Sequence, residues 1–217
     1  MTAVGSATAF PQREARGESL LAGSRSSMDS DDYLLRVDAL SAGYVRPVVG
    51  PVSFSVRLGD IVGIRGPNGS GKSTLLNAIT GGSRIFSGRV IKRPGARVSH
   101  QQQSTLPLDS VPLSGRELLG LTGATEESLP AWIKPHVRRR LDRLSGGQLQ
   151  LLYVWACLKA PVDLILLDEP TNNVDPPGIE HLAEELLRMR ASHAVLVISH
   201  EHRFLEQVCT RMVDLPQ

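Results

Sequence analysis

The residues with the clearest chemical purpose form one glycine-rich loop, which consists of Gly66, Pro67, Asn68, Gly69, Ser70, Gly71, Lys72, Ser73 and Thr74. An apolar stretch before it (59–65) predicts a buried strand, and the stretch after it (75–79) predicts a helix. In that context the backbone N–H groups of such a loop point at phosphate oxygens, and the helix N-terminus adds a positive dipole. Lys72 would reach the β- and γ-phosphates and the Ser73 hydroxyl would hold Mg²⁺. The loop therefore predicts a site for a nucleoside triphosphate.

Two further apolar stretches deliver polar side chains where each stretch ends. Residues 162–168 predict a buried strand that ends in Asp168 and Glu169, and residues 194–199 predict another that is followed by His200. Beside a phosphate loop, Asp168 would supply a Mg²⁺ ligand and Glu169 would orient or deprotonate the attacking water. His200 would contact the γ-phosphate if its strand neighbours that of Asp168. Ordinary turn acids and a structural histidine are the alternatives.

A second glycine-containing helix start lies further along the chain. Ser145 and Gln148 flank Gly146 and Gly147 in the spacing of a capping box, which predicts a helix N-terminus with free N–H groups. Two glycines there would let another phosphate approach closely. Helix caps are common, so this pattern alone is equally compatible with a purely structural cap. Ser114 and Glu117 form another such box.

The remaining elements are predicted from periodicity. Alternating stretches at 34–40 and 52–57 predict strands with one wet face, and 87–91 and 97–103 predict two more. Tyr44, between the first two, either stacks on a nucleotide base or packs in the core. Residues 178–190 predict an amphipathic helix with Glu184 and Arg188 paired on its outer face.

Length and composition limit the possible classes of protein. A chain of 217 residues with a net charge of +2 fits one domain and gives no reason to expect nucleic acid as a partner. No apolar run has the length of a membrane helix, and the two cysteines lack metal-ligand spacing. Residues 1–30 lack apolar periodicity, which predicts a disordered tail, and Met28 is an alternative start to Met1.

Taken together, these motifs resemble the ATP-binding cassette (ABC) ATPase family from about residue 34 to the end. The resemblance implies an α/β P-loop NTPase fold, with a RecA-like core, an antiparallel β subdomain and a helical insert at about 104–160 within a domain of 31–217. In the family's terms the matching residues are Tyr44 (A-loop), 66–74 (Walker A), 164–169 (Walker B), 144–148 (signature), Asp175 (end of the D-loop) and His200 (switch histidine).

The Q-loop glutamine and the signature helix are the points where the match is less direct. The Q-loop residue, which in the family senses Mg²⁺ and the transport partner, is one of Gln101, Gln102 and Gln103, and counting from the strand start favours Gln103. After the signature, Leu151 and Ala156 stand where the family usually has arginines. These departures concern partner contacts more than ATP binding.

The resemblance also implies a mechanism and partners. Two chains would dock head to tail around two ATP molecules with Mg²⁺. Glu169, His200 and Lys72 would be catalytic, and Ser73, Gln103 and Asp168 would hold the metal. Tyr44, Gln103, Asp175, the Walker A loop and Ser145–Gln148 would contact the nucleotide.

Three functional hypotheses remain. The favoured one is the ATPase subunit of an ABC transporter, at the cytoplasmic face of the cell membrane, with a permease and a substrate-binding protein as partners. Residues 105–113 are similar to a proline-containing segment of zinc and manganese importer ATPases, which suggests a metal-ion cargo. The alternative is a soluble, ribosome-associated ATPase like those of the ABC-F branch, suggested by 171–173 and 199–205. A binding module without hydrolysis is disfavoured by the intact Lys72, Asp168, Glu169 and His200.

Overall fold

The first layer is a three-stranded antiparallel sheet. The computed structural model describes residues 32–102 and 113–216. The strands of this sheet are β1 (Leu35–Gly43), β2 (Pro47–Val56) and β4 (Arg84–Lys92), which lie in the order β2-β1-β4. The structure confirms the strands predicted here, and each of them is longer than its periodic stretch.

The second layer is a five-stranded sheet in which every neighbouring pair is parallel. Its strands are β3 (Ile61–Arg65), β5 (Val98–Gln101), β6 (Leu164–Asp168), β7 (Ala194–Ile198) and β8 (Arg211–Asp214), and they lie in the order β5-β6-β7-β3-β8. Because parallel strands need crossover connections, helices lie between them along the chain. The principal helices are α1 (Lys72–Thr80), α4 (Gly146–Leu158), α5 (Pro176–Met189) and α6 (His202–Val208).

Both faces of the parallel sheet are covered, so its central strands are apolar without alternation. On β6, Leu164 and Leu166 pack into a core with α1 and the antiparallel sheet. Ile165 and Leu167 pack into a second core with α4 and α5. All four leucine or isoleucine side chains are fully buried, and each contributes about 1.5–3 kcal/mol of transfer free energy. This packing fixes the carboxyl ends of the strands, where ligands bind in such sheets.

Shorter helices lie between β5 and β6. They are α2 (Gly115–Thr122) and α3 (Lys134–Val137), with 3₁₀ turns at 126–128 and 141–143. The predicted capping box of Ser114 and Glu117 is present at the start of α2. The insert boundaries of about 104–160 remain a prediction, since 103–112 lie outside the described residues. The predicted tail, 1–30, also lies outside them.

The ion pair predicted on α5 is wrong. Arg188 pairs with Glu185 and not with Glu184, which lies 3.8 Å from His181. Glu185 is 3% exposed and is also paired with Lys159, the residue that follows α4. Helical spacing predicted which face of α5 carries Arg188. It did not show that Arg188 would pair with Glu185, which also pairs with Lys159.

Candidate active site

The phosphate loop has the backbone geometry that its glycines permit. Gly69 and Gly71 have φ of 81° and 87°, in the left-handed region that favours glycine. A Cβ on Gly71 would also lie 2.6 Å from the Cβ of Val49, so β2 packs too closely for any side chain there. Helix α1 begins directly after Gly71 with Lys72. The loop therefore presents the unsatisfied N–H groups of a helix start, as an anion site requires.

Lys72 is held over this loop by the loop's own carbonyl groups. Its Nζ donates to the carbonyl oxygens of Gly66 and Pro67, at 2.9 and 3.0 Å. The side chain is buried, with 9% exposure. These bonds place a positive charge beside the backbone N–H groups, which is the arrangement that stabilises phosphate oxygens.

Asp168, the last residue of β6, is buried with one unsatisfied oxygen. It is 3% exposed, and its Oδ1 has no hydrogen-bond partner among the described residues. Burial raises the pKa of this carboxyl, while the hydrogen bond with Ser73 and the nearby Lys72 act in the opposite direction. A buried carboxylate oxygen without a partner is costly unless a ligand completes it.

Glu169 is held by His200. Its Oε1 lies 3.1 Å from His200 Nε2, and its Oε2 accepts from the His200 backbone N–H at 3.1 Å. Glu169 has a φ of 55°, an uncommon conformation for a residue with a side chain. Its carboxylate is therefore fixed at the end of β6, adjacent to the end of β7 in the sheet.

One cavity of about 400 Å³ brings most of the predicted phosphate-binding and catalytic residues together. Its lining comprises Val48, Asn68, Gly69, Gly71, Lys72, Ser73, Thr74, Glu169, Ile198 and His200. Val48 and Ile198 were not predicted, because single apolar residues in strands give no functional signal.

Tyr44 does not line this cavity. It is 55% exposed, and its hydroxyl accepts from the side-chain amide of Asn77 on α1. The core-packing alternative is therefore wrong, and a base-stacking role stays a prediction.

The signature residues form a separate site. Ser145 and Gln148 make the predicted capping box at the start of α4. They line a second cavity, of about 610 Å³, together with Gly147, Asn173 and Asp175. Among the described residues, none lines both cavities. The predicted signature and the phosphate loop therefore line different cavities of one chain.

The two signature glycines have different surroundings. A Cβ on Gly147 would lie 2.4 Å from the carbonyl oxygen of Asn173, whereas a Cβ on Gly146 would meet nothing within 4 Å. Gly147 is thus needed for the predicted D-loop, residues 172–175, to pack on α4, and Gly146 leaves the surface open. Asp175 ends the D-loop by capping α5, where its side chain accepts from the Gly178 N–H.

The structure describes two of the three candidate Q-loop residues, Gln101 and Gln102, and they differ in burial. Gln101 is the last residue of β5 and is 4% exposed. It lies on the same side of the strand as Ser99, whose hydroxyl donates to the Cys157 carbonyl of α4, so it faces away from α1. Gln102 is exposed, and Gln103 lies outside the described residues.

Two hydrogen-bonded contacts near the site were not predicted. Thr171 and Ser199 share a buried hydrogen bond of 2.8 Å between the segments that follow β6 and β7. Gln150 of α4 donates through its side chain to the carbonyl oxygen of Glu169 at 3.1 Å. Motif matching gives no signal for either, because both depend on how separate elements pack.

Comparison with known proteins identifies the family of the chain. The family model described as ABC transporter matches residues 49–172. The chain is 35% identical over 191 residues to a protein of Jannaschia sp. named zinc import ATP-binding protein ZnuC, covering 84% of this chain and 79% of that protein. A protein of the same name from Marinobacter nauticus is 34% identical over 194 residues, covering 86% and 76%.

Solved structures share the fold. The structure titled ATP binding subunit of ABC transporter superposes with a TM-score of 0.74 at 24% identity, covering 84% of this chain and 85% of that one. Among the described residues no helix is both long and apolar enough to cross a membrane. The chain belongs to the ABC transporter family, in which it is an ATP-binding, ATP-hydrolysing subunit.

Proposed function

We propose that this chain hydrolyses Mg²⁺-bound ATP at the phosphate-loop cavity, with Glu169 as the group that polarises the attacking water. The observation that supports this proposal is the fixed position of the Glu169 carboxylate. One of its oxygens accepts from the His200 N–H and the other lies 3.1 Å from His200 Nε2, and the residue lines the same cavity as Lys72 and Ser73. Lys72 and the loop N–H groups would stabilise charge on the transferred phosphoryl group. His200 would orient both Glu169 and the γ-phosphate.

The residues around Asp168 fit a magnesium ion. Mg²⁺ prefers oxygen ligands and is usually bound by one or two carboxylates together with substrate phosphates. The unpartnered Oδ1 of Asp168 and the neighbouring Ser73 hydroxyl supply such oxygens. The ion would neutralise charge on the phosphates. Gln103 is proposed as a further Mg²⁺ ligand in preference to Gln101, because Gln101 lies on the side of β5 that faces α4.

The separation of the two cavities supports a head-to-tail dimer as the active form. The signature of one copy would close the phosphate-loop cavity of the other, so each nucleotide would contact both chains. Ser145 and Gly146 lie at the open N-terminal end of α4, where N–H groups and the helix dipole favour an anion. A permease is the membrane partner of an ABC transporter subunit, and we place this chain at its cytoplasmic face.

We further propose zinc as the transported ion, delivered to the permease by a substrate-binding protein. The support is the name shared by the relatives at 34–35% identity, which cover most of this chain. These relatives favour a transporter subunit over the ribosome-associated alternative.

Uptake of radioactive zinc by cells that carry Glu169→Gln tests this proposal. We expect zinc uptake to fall to the level of a strain without the gene, while the variant protein accumulates normally. Radioactive manganese uptake, measured in the same strains, is the control for cargo. Zinc uptake equal to wild type would contradict the zinc assignment. Loss of manganese uptake alone would assign the other metal.

A further inference from the structure

The signature helix makes a direct polar contact with the residue proposed as catalytic. Gln150 lies on α4 beyond the signature, and its Nε2 donates to the main-chain carbonyl oxygen of Glu169 at 3.1 Å. Its side chain is partly buried. Cap formation and core packing account for the other signature-helix residues, but neither explains an amide that reaches from α4 to the end of β6.

The conformation of Glu169 needs such support. A left-handed φ costs a residue with a side chain about 1–2 kcal/mol, and it persists only where the surroundings hold it. The Glu169 N–H donates to the Ile198 carbonyl at 2.9 Å. Its carbonyl accepts from the Asn172 N–H at 3.2 Å as well as from Gln150. The His200 N–H donates to Oε2 and His200 Nε2 lies 3.1 Å from Oε1, so every polar group of Glu169 has a partner.

These bonds come from three different elements. Ile198 and His200 belong to β7 and the segment after it, Asn172 belongs to the D-loop turn, and Gln150 belongs to α4. A carbonyl oxygen has two lone pairs, so the bonds from Asn172 and Gln150 are compatible. Among the described residues, Gln150 provides the hydrogen bond from α4 to Glu169. A displacement of α4 therefore acts on the Glu169 peptide through this side chain.

We propose that Gln150 is a positioning residue that fixes the orientation of the Glu169 carboxylate relative to the signature helix. This inference rests on the proposed catalytic role of Glu169. When a second copy presses a nucleotide against the N-terminal end of α4, the same helix holds the Glu169 peptide through Gln150. Through this hydrogen bond, contact of the signature with a nucleotide on the second copy would affect the position of the Glu169 carboxylate in the same chain.

The test compares Gln150→Met with wild type in ATP hydrolysis by the full chain. Methionine keeps the length and helix preference of glutamine but lacks the donor. Loss of one net hydrogen bond predicts a fall in kcat of about three- to tenfold. KM for ATP should stay within about twofold, because Gln150 does not line the phosphate-loop cavity. Gln150→Glu keeps the shape but replaces the donor with a carboxylate that repels the Glu169 carbonyl oxygen, so its kcat should fall at least as far.

A control and a double variant separate positioning from general structural damage. Gln207→Met removes a comparable surface hydrogen bond, to Glu180 on α5, and should leave kcat unchanged. In a Glu169→Gln background, Gln150→Met should cause no further fall in single-turnover hydrolysis. An equal fall in both backgrounds, or a kcat like that of Gln207→Met, would overturn the inference. Wild-type turnover by Glu169→Gln alone would overturn the proposed function and, with it, this inference.

Discussion

Alanine replacements of the two signature glycines, Gly146 and Gly147, should have different effects on stability, because only Gly147 is in close contact with the D-loop. In Gly147→Ala the new Cβ would lie 2.4 Å from the Asn173 carbonyl oxygen. Carbon and oxygen atoms normally stay more than about 3 Å apart, so α4 and the D-loop must separate by roughly 0.6 Å or more. Asn173 has a φ of 59°, in a sparsely populated region, so this backbone does not adjust freely.

The two replacements should change the melting temperature differently: one lowers it, and the other leaves it unchanged or raises it. Overpacking at Gly147 costs about 1–3 kcal/mol. For a domain of this size, 1 kcal/mol changes the melting temperature by about 2–4 °C, so Gly147→Ala should lower it by about 2–12 °C. At Gly146 a Cβ meets nothing within 4 Å, and alanine is up to about 1 kcal/mol better than glycine in a helix. Gly146→Ala should therefore leave the melting temperature unchanged or raise it by up to about 4 °C.

The assay is thermal unfolding of the nucleotide-free protein, followed by circular dichroism or calorimetry. Removing nucleotide matters because bound ligand would stabilise the variants unequally. Equal melting temperatures for the two variants would refute the packing argument. A larger loss for Gly146→Ala than for Gly147→Ala would do so as well.

Three other predictions follow from single side chains. Lys72→Ala should weaken ATP binding by about tenfold or more through the lost charge-assisted contact, measured by calorimetric titration, whereas the exposed Lys92→Ala should bind as wild type. Glu185→Ala should destabilise the fold by at least about 1 kcal/mol because it leaves two cations without their buried partner, and Glu184→Ala, measured alongside it in urea, should change stability by less than about 0.5 kcal/mol. Burial lowers the pKa of His100 from 6.5 to about 4, so between those pH values the unfolded chain binds a proton that the folded one does not, and stability falls as the pH is lowered. His100→Gln should lose less stability than wild type between pH 7 and pH 5, and equal losses would contradict this.

Much of the fold was predictable because its elements carry strong local signals. The strands that became β6 and β7 are continuous apolar runs, which only a sheet covered on both faces buries. The caps at Ser114 and Ser145 followed from the spacing of their partners alone. The phosphate loop was predicted with the helix that follows it, because glycine spacing encodes backbone conformation directly.

What was not predictable depends on contacts between distant segments. The pairing of Arg188 with Glu185 required knowing that Glu185 is buried beside α4. The hydrogen bond from Gln150 to Glu169 joins residues on different elements, and the lining role of Val48 depends on how β2 packs against the loop. Periodicity assigns a residue to a face but not to its partner on another element.

Single-turnover hydrolysis by Glu169→Gln tests the central claim most directly. Removal of a general base predicts a fall in the hydrolysis rate of at least about a hundredfold. ATP affinity should stay within about threefold, since Lys72 and the loop N–H groups are unchanged. The variant should also accumulate as an ATP-dependent dimer on size exclusion, because bound ATP is no longer consumed. A hydrolysis rate close to wild type, with ATP bound normally, would contradict the assignment of Glu169 as the catalytic carboxylate.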